Sequence, residues 1–338
     1  MVPDTGLRRE ISLPFLLLYG LGNILGAGIY VLIGKVVGEA GMFAPLAFFI
    51  AAVVAGFTAF SYSELAARFP VSAGEAVYVQ EGFGRPWLSA VVGLLLAAIG
   101  VVSAATIAKG FVGYFQVFFS LADAWIIIAL VLALGGVAAW GIRQSMWLAA
   151  LFTLVEVGGL LLIVWVARDG FHSLDELAGA APGLLEAGAW EGILLGAFLA
   201  FYAFIGFEDM VNVAEEVRSP ERAFPPAMVG ALLVAAVLYA LVTVVAVLSL
   251  SVDRLGESEA PLALIYADAT GADPVVITVI SLFAVVNGAL IQMIMASRVL
   301  YGMARQGWLP KPLARVHSRT RTPWLATALV SLLVIGLG

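Results

Sequence analysis

The chain has 338 residues, 62% of them hydrophobic and 12% charged, with a mean hydropathy of +1.05 and a formal net charge of −6. Soluble domains run near a quarter charged, so this composition excludes a water-soluble globule and makes lipid the solvent. The absence of cysteine excludes a disulfide framework, thiol catalysis and thiolate metal sites, and His172 and His317 sit in polar stretches without ligating company.

A bilayer core takes about 20 apolar residues per helix. On that ruler nine segments qualify: 12–36, 43–67, 86–119, 124–141, 145–167, 190–214, 226–250, 273–304 and 323–338. Arg8 and Arg9 precede the first, but that run is too long for a signal peptide and lacks a small-residue cleavage site. With the N-terminus inside, the inner side carries Arg8, Arg9, Arg68, Arg85, Arg143, Arg218, Arg222, Arg298, Arg305, Lys311, Arg315, Arg319 and Arg321, and the outer side only Lys35, Arg168 and Arg254. This bias predicts a multi-pass protein of the cell membrane with a cytoplasmic N-terminus. The last apolar run, "TPWLATALVSLLVIGLG", reaches the final residue, and the expectation drawn from it is a chain that stops short of a full set of spans.

The first span contains "GLGNILGAGIYVLIG". Gly22, Gly26, Ala27 and Gly28 make helix breaking inexpensive and let a ligand approach the backbone. A broken helix exposes N–H groups, which attract a carboxylate, and carbonyls, which attract a cation. Small residues at close spacing also serve helix packing, and this stretch alone favours packing. The sixth span reads "GAFLAFYAFIGFEDMVNVAEEVRSP", with Gly206 in mid-span and Glu208 beside Asp209. Adjacent acids in a hydrophobic span are costly and usually functional. Interrupted segments five spans apart imply an inverted second copy and a site at mid-membrane.

These residues resemble an amino acid permease of the amino acid–polyamine–organocation superfamily. The matching stretches are "GNILGAGIYVLIG", "SYSELAARFPVSAGEAVYV", "FYAFIGFEDMVNVAEEVRSPERAFPPAM" and "ASRVLYGMARQGWLP", in the family's order. The resemblance implies an all-α polytopic protein of two inverted five-helix repeats with unwound spans 1 and 6: residues 12–167, and an incomplete 190–338, in one transport domain. It implies that N–H groups at Gly26, Ala27 and Gly28 hold a substrate α-carboxylate. Carbonyls of Asn23 and Ile24, with those near Tyr202, Ala203 and Ile205, receive the α-ammonium. Tyr202 falls at the family's aromatic gate, though it is equally a core aromatic. Glu208 binds a cationic side chain, carries a proton, or caps freed N–H groups of the broken helix.

Two further ionisable residues lie in spans: Glu156 in span 5 and Lys109 in the outer half of span 3. Each is a candidate for proton coupling. Proton-coupled relatives have Lys where this chain has Glu156, a departure that puts an amine mechanism in doubt and leaves a carboxyl carrier, or a structural partner for an amide or for Lys109. Sodium is disfavoured, because span 8 offers Asn287 and Gln292 but no hydroxyl between Leu282 and Ala296, and a hard cation needs several oxygens. Asn287 remains a possible ion or pocket ligand; Gln292 has no assigned role. Around these positions, Glu64 and Arg68 have the spacing of a helix-surface ion pair, and Glu215, Glu216, Arg218, Glu221 and Arg222 form an inner loop or gate.

The expected function is amino acid transport by alternating access, by proton-coupled symport or exchange. The expected partners are an amino acid, protons and the lipid bilayer, with no nucleic acid, cofactor, metal or enzymatic activity. The alternatives are a polyamine or other organocation carrier, a sodium-coupled carrier, or a sensor that binds amino acids without moving them.

Overall fold

The computed structural model describes residues 6–116, 119–180, 185 and 187–338. Eight of its helices are long and apolar enough to cross a bilayer. The chain runs through α1 (Leu13–Ala40), α2 (Ala44–Arg68), a short α3 (Gly74–Phe83), α4 (Pro86–Gln116), α5 (Asp123–Trp140) and α6 (Ile142–Val166). It continues through α7 (Leu174–Ala180), α8 (Ala187–Phe204), a 3-10 segment (Phe207–Glu216), α9 (Pro220–Ser249), α10 (Val252–Gly256), α11 (Pro261–Thr270), α12 (Val275–Arg305) and α13 (Trp324–Leu337).

The ninth apolar segment is the shortest: α13 has 14 helical residues, about 21 Å at the helical rise, less than the roughly 30 Å hydrocarbon core. The third apolar segment is helical to Gln116, and positions 117–118 lie outside the described residues.

Apolar side chains are unavoidable on both the inside and the outside of such a bundle. Phe57 and Trp125 are exposed while Leu16, Ile29 and Met293 are fully buried, as lipid-facing and helix-facing positions require. α1 sits at the centre, against α6, α8, α9 and α12, while α2 lies along α9 and α4 along α12. Small residues permit this closeness: Ala44, Ala47, Ala51, Ala55 and Ala59 form the buried stripe of α2. The segment before α1 is pinned to the exit of the sixth span by a parallel bridge, with Ile11 N–H donating to the Glu216 carbonyl at 2.9 Å and Arg218 N–H to the Ile11 carbonyl at 2.8 Å.

Glu64 and Arg68 form their (i, i+4) ion pair at 2.5 Å with both side chains exposed, a contact that contributes little. The inner loop behaves differently. Glu216 and Arg298 are fully buried, with Arg298 Nε donating to Glu216 Oε2 at 3.0 Å and Nη2 to Oε1 at 3.3 Å. The sequence pattern gives Arg298 only as one more inner-side charge. Packing of the 3-10 segment on α12 turns it into a two-pronged clamp.

Candidate functional site

Two breaks face each other in the middle of the bundle. α1 loses helical geometry at Gly26 alone (φ 16°, ψ −157°). Gly26 is buried, yet among the described residues a Cβ built on it would meet no atom within 4 Å outside its own stretch of helix. Open space therefore lies directly against the backbone there. Gly28 passes closer to the sixth span, with its Cβ position 3.7 Å from Ala203 Cα. The Ala27 side chain lies outside the described residues.

The sixth span ends its α-helix at Phe204 and restarts as the 3-10 segment from Phe207. Between them Gly206 adopts φ +134°, which an L side chain rarely enters, and a Cβ would stand 2.8 Å from the Asn23 carbonyl oxygen. Glycine is thus required twice over at 206, by dihedral and by close approach.

Side chains bridge the breaks. Asn23 Nδ2 donates to the Gly206 carbonyl at 2.7 Å and to Asp209 Oδ2 at 2.6 Å, and Gln292 Nε2 of α12 donates to the same Asp209 oxygen at 2.7 Å. Glu208 Oε2 accepts the Gly206 N–H at 2.8 Å, so its carboxylate caps a donor freed by the break. Tyr239 of α9 donates its hydroxyl to the Ile24 carbonyl at 2.8 Å and the Ala203 carbonyl at 3.0 Å. Two of the carbonyls expected to take an ammonium, those of Ile24 and Ala203, are thereby held by one phenol.

Tyr202 and Ile205 do not join this group. They are 53% and 41% exposed, and the Tyr202 ring lies edge-on to Phe198 at 5.4 Å between centroids. Ala203 and Phe204, at the end of α8, turn inward to the break, while Tyr202 on the helix and Ile205 in the turn beyond it face outward.

A second polar cluster lies one turn earlier on α1. Glu156 is fully buried; Asn287 Nδ2 donates to its Oε1 at 2.8 Å and contacts Thr153 Oγ1 at 3.2 Å. Thr153 in turn donates to the Leu18 carbonyl at 3.1 Å. Among the described residues Glu156 Oε2 and Asn287 Oδ1 have no hydrogen-bond partner. Gly22 makes room for the cluster: a Cβ there would run into Thr153 Oγ1 and lie 2.6 Å from Asn287 Nδ2. Lys109, by contrast, is exposed on α4, and among the described residues no hydrogen bond or ion pair joins it to Glu156.

Sequence reasoning missed Asp209, Gln292, Tyr239 and Thr153 as members of these networks. The only signal for Asp209 was its place beside Glu208, and nothing local says which of two adjacent acids turns toward α1. Tyr239 and Thr153 are single polar groups in apolar helices, indistinguishable in sequence from packing residues.

Two opposed helix breaks inside an apolar bundle, with buried acids and amides around them, are the architecture of an inverted-repeat membrane transporter. Two solved carriers share this fold. The transporter MhsT, solved in complex with L-phenylalanine, superposes with a TM-score of 0.57 at 17% identity over 98% of this chain and 80% of that one. A Na⁺-coupled sialic acid symporter in a substrate-bound outward-open state gives 0.61 at 12% identity over 95% and 72%. At these identities the likeness is one of fold, the inverted-repeat arrangement with unwound first and sixth spans.

The chain belongs to the amino acid permease family, whose profile matches residues 11–338. It is similar to an uncharacterized transporter of Mycobacterium tuberculosis (34% identical, 99% of this chain and 74% of the relative). It is also similar to the branched-chain amino acid permease BcaP of Bacillus subtilis (27%, 96% and 73%) and to the vacuolar cationic amino acid transporter 2 of Arabidopsis thaliana (29%, 96% and 54%). The chain is a membrane transporter rather than an enzyme, and its function is amino acid transport.

Proposed function

We propose that the chain carries amino acids by alternating access, binding the substrate across the breaks at Gly26 and Gly206 and coupling its movement to a proton on Glu156. The observation that carries the reading is the open space against buried Gly26, placed where a broken helix presents N–H groups to an anion. The substrate carboxylate takes the N–H groups from Gly26 to Gly28. Its ammonium takes the Ile24 and Ala203 carbonyls in place of the Tyr239 hydroxyl, with Asn23 holding the two breaks in register. Tyr202 and Ile205 contribute through their backbone. Glu208 maintains the break by capping, and Lys109 serves the bilayer surface.

Glu156 is suited to carry a proton because it is fully buried, faces a neutral amide, and has one oxygen without a partner. Residues 12–167 and 190–338 form the two repeats, with the N-terminus on the cytoplasmic side of the cell membrane. The test is uptake of radiolabelled amino acids by proteoliposomes with and without an inward-acid pH gradient. Branched-chain and cationic amino acids belong in the panel because relatives are named for them. Uptake of none would overturn the reading. The free oxygens Glu156 Oε2 and Asn287 Oδ1 also favour a competing reading, a bound sodium ion. Exchange of sodium for choline at constant pH separates the two: loss of uptake would move the coupling from proton to sodium.

A further inference from the structure

A third polar cluster lies outside both networks, at the end of the bundle closed by α3. The chain leaves α2, bends at Pro70, passes through Ala73 in the left-handed region (φ 60°) and starts α3 with Glu75 in its first turn. α3 packs on α4, on the 3-10 segment and on α12. The fit against α12 is close: a Cβ at Gly302 would run into the Ser72 carbonyl and stand 2.8 Å from Ala73 Cβ.

Glu75 is driven into this contact. It is 7% exposed, and besides its own backbone N–H its carboxyl meets a long hydrogen bond from Asn212 Nδ2 to Oε1 at 3.4 Å. Four buried oxygens here lack a hydrogen-bond partner among the described residues: Ser72 Oγ, Glu75 Oε2, Tyr78 OH and Asn212 Oδ1. The ionisable groups that act on Glu75 are all acids or phenols. Asp209 and Glu208 face it from the 3-10 segment, Tyr62 from α2 and Tyr78 from its own helix. α4 presents Ser89, which is bonded to Gln80. The two basic groups of α12 are engaged elsewhere: Arg298 is committed to Glu216, and Arg305 Nη1 donates to Tyr301 OH at 3.5 Å and lies over the Tyr301 ring. A carboxylate in such a place has neither a cation nor enough donors, and burying its charge would be costly.

We propose that Glu75 is a second proton-binding site, which holds a proton while α3 is seated on the sixth span and α12 and releases it to the solution on that side when the mouth opens. The inference rests on the alternating-access reading, because it needs a mouth that opens. It assigns the group that couples opening to pH, whatever the amino acid carried. The proton leaves as hydronium when water reaches the carboxyl, and returns from water when the mouth closes. Burial first, then repulsion by Asp209 and Glu208, raises the Glu75 carboxyl to about 8 in the seated state. In water a glutamate titrates near 4.3. Between those values opening releases one proton, so the open-to-closed ratio rises up to tenfold per pH unit; below and above them it is flat.

The absence of native cysteine allows a clean distance measurement on the full chain. Spin labels at Glu81→Cys on α3 and Gln306→Cys beyond α12, both exposed positions, report the separation of the two elements by pulsed electron paramagnetic resonance. The parent pair is expected to shift toward longer distances as pH rises from about 5 to about 8, a window set by the two titration points. In a Glu75→Gln background the distribution should stay short and independent of pH. Glu75→Met, neutral and of similar size, provides the same readout if the amide does not fold. An unresponsive parent, or a neutral variant that keeps the parent's pH response, would overturn the proposal. Neither result depends on substrate, so a failure here is distinguishable from absent amino acid uptake.

Discussion

Replacing Glu156 by glutamine separates proton coupling from substrate binding, and the structure sets the size of each effect. The glutamine carbonyl can keep the 2.8 Å bond from Asn287. Its amino group falls where Glu156 Oε2 now has no partner, which leaves one buried donor unsatisfied at a cost of about 1–3 kcal/mol. The variant should therefore fold. Its affinity for substrate should change little, since the breaks at Gly26 and Gly206 are held by Asn23, Asp209, Gln292 and Tyr239 and not by Glu156. Coupling should vanish. One carboxyl carries one proton, and one pH unit is worth about 1.36 kcal/mol, or roughly tenfold accumulation against no gradient. Proteoliposomes with an inward-acid gradient of one unit and the membrane potential clamped should accumulate substrate up to tenfold with the parent and not at all with Glu156→Gln, while substrate exchange at equal pH persists. Full gradient-driven accumulation by the variant would refute the assignment and leave Glu156 a structural partner of Asn287.

The other predictions rest on equally local geometry. Gly26→Val fills space that is open among the described residues, so substrate affinity should fall more than tenfold; normal binding by isothermal titration would remove the carboxylate site from α1. Gly22→Ala drives a methyl into Thr153 and Asn287; overpacking of this kind costs about 1–3 kcal/mol, to be read as a lowered unfolding midpoint in detergent. Glu216→Ala strands the fully buried Arg298, a loss of about 3–5 kcal/mol, and the double variant Glu216→Ala with Arg298→Met should recover much of it in the same measurement.

Sequence alone determined the solvent, the number of apolar segments and the two places where helices break. These follow from composition and from glycine, whose effects are local: a hydrophobic run reads as a span wherever it lies, and a residue without a Cβ loosens its own turn. The family resemblance, carried by short motifs in fixed order, was likewise legible. Sequence also marked Glu156, because a charge in a long apolar run is conspicuous.

Only the tertiary structure decided what each polar side chain meets. Asp209 rather than Glu208 reaches Asn23 and Gln292, while Glu208 turns back to cap Gly206. Tyr239 spans the carbonyls of Ile24 and Ala203 from 215 and 36 residues away. Lys109 and Glu156, both charges inside spans in sequence, part company: one is exposed and the other fully buried. Tyr202 lies apart from the network because the turn that carries Ala203 and Phe204 inward carries it out. Glu75, in the first turn of α3, becomes a buried acid through contact with Asn212 and the close approach of Gly302 to Ser72. The physical reason is common to all five. Hydrogen bonds and desolvation act through space at about 3 Å, and a helical sequence fixes which face a residue occupies on its own axis but not which neighbour that face meets.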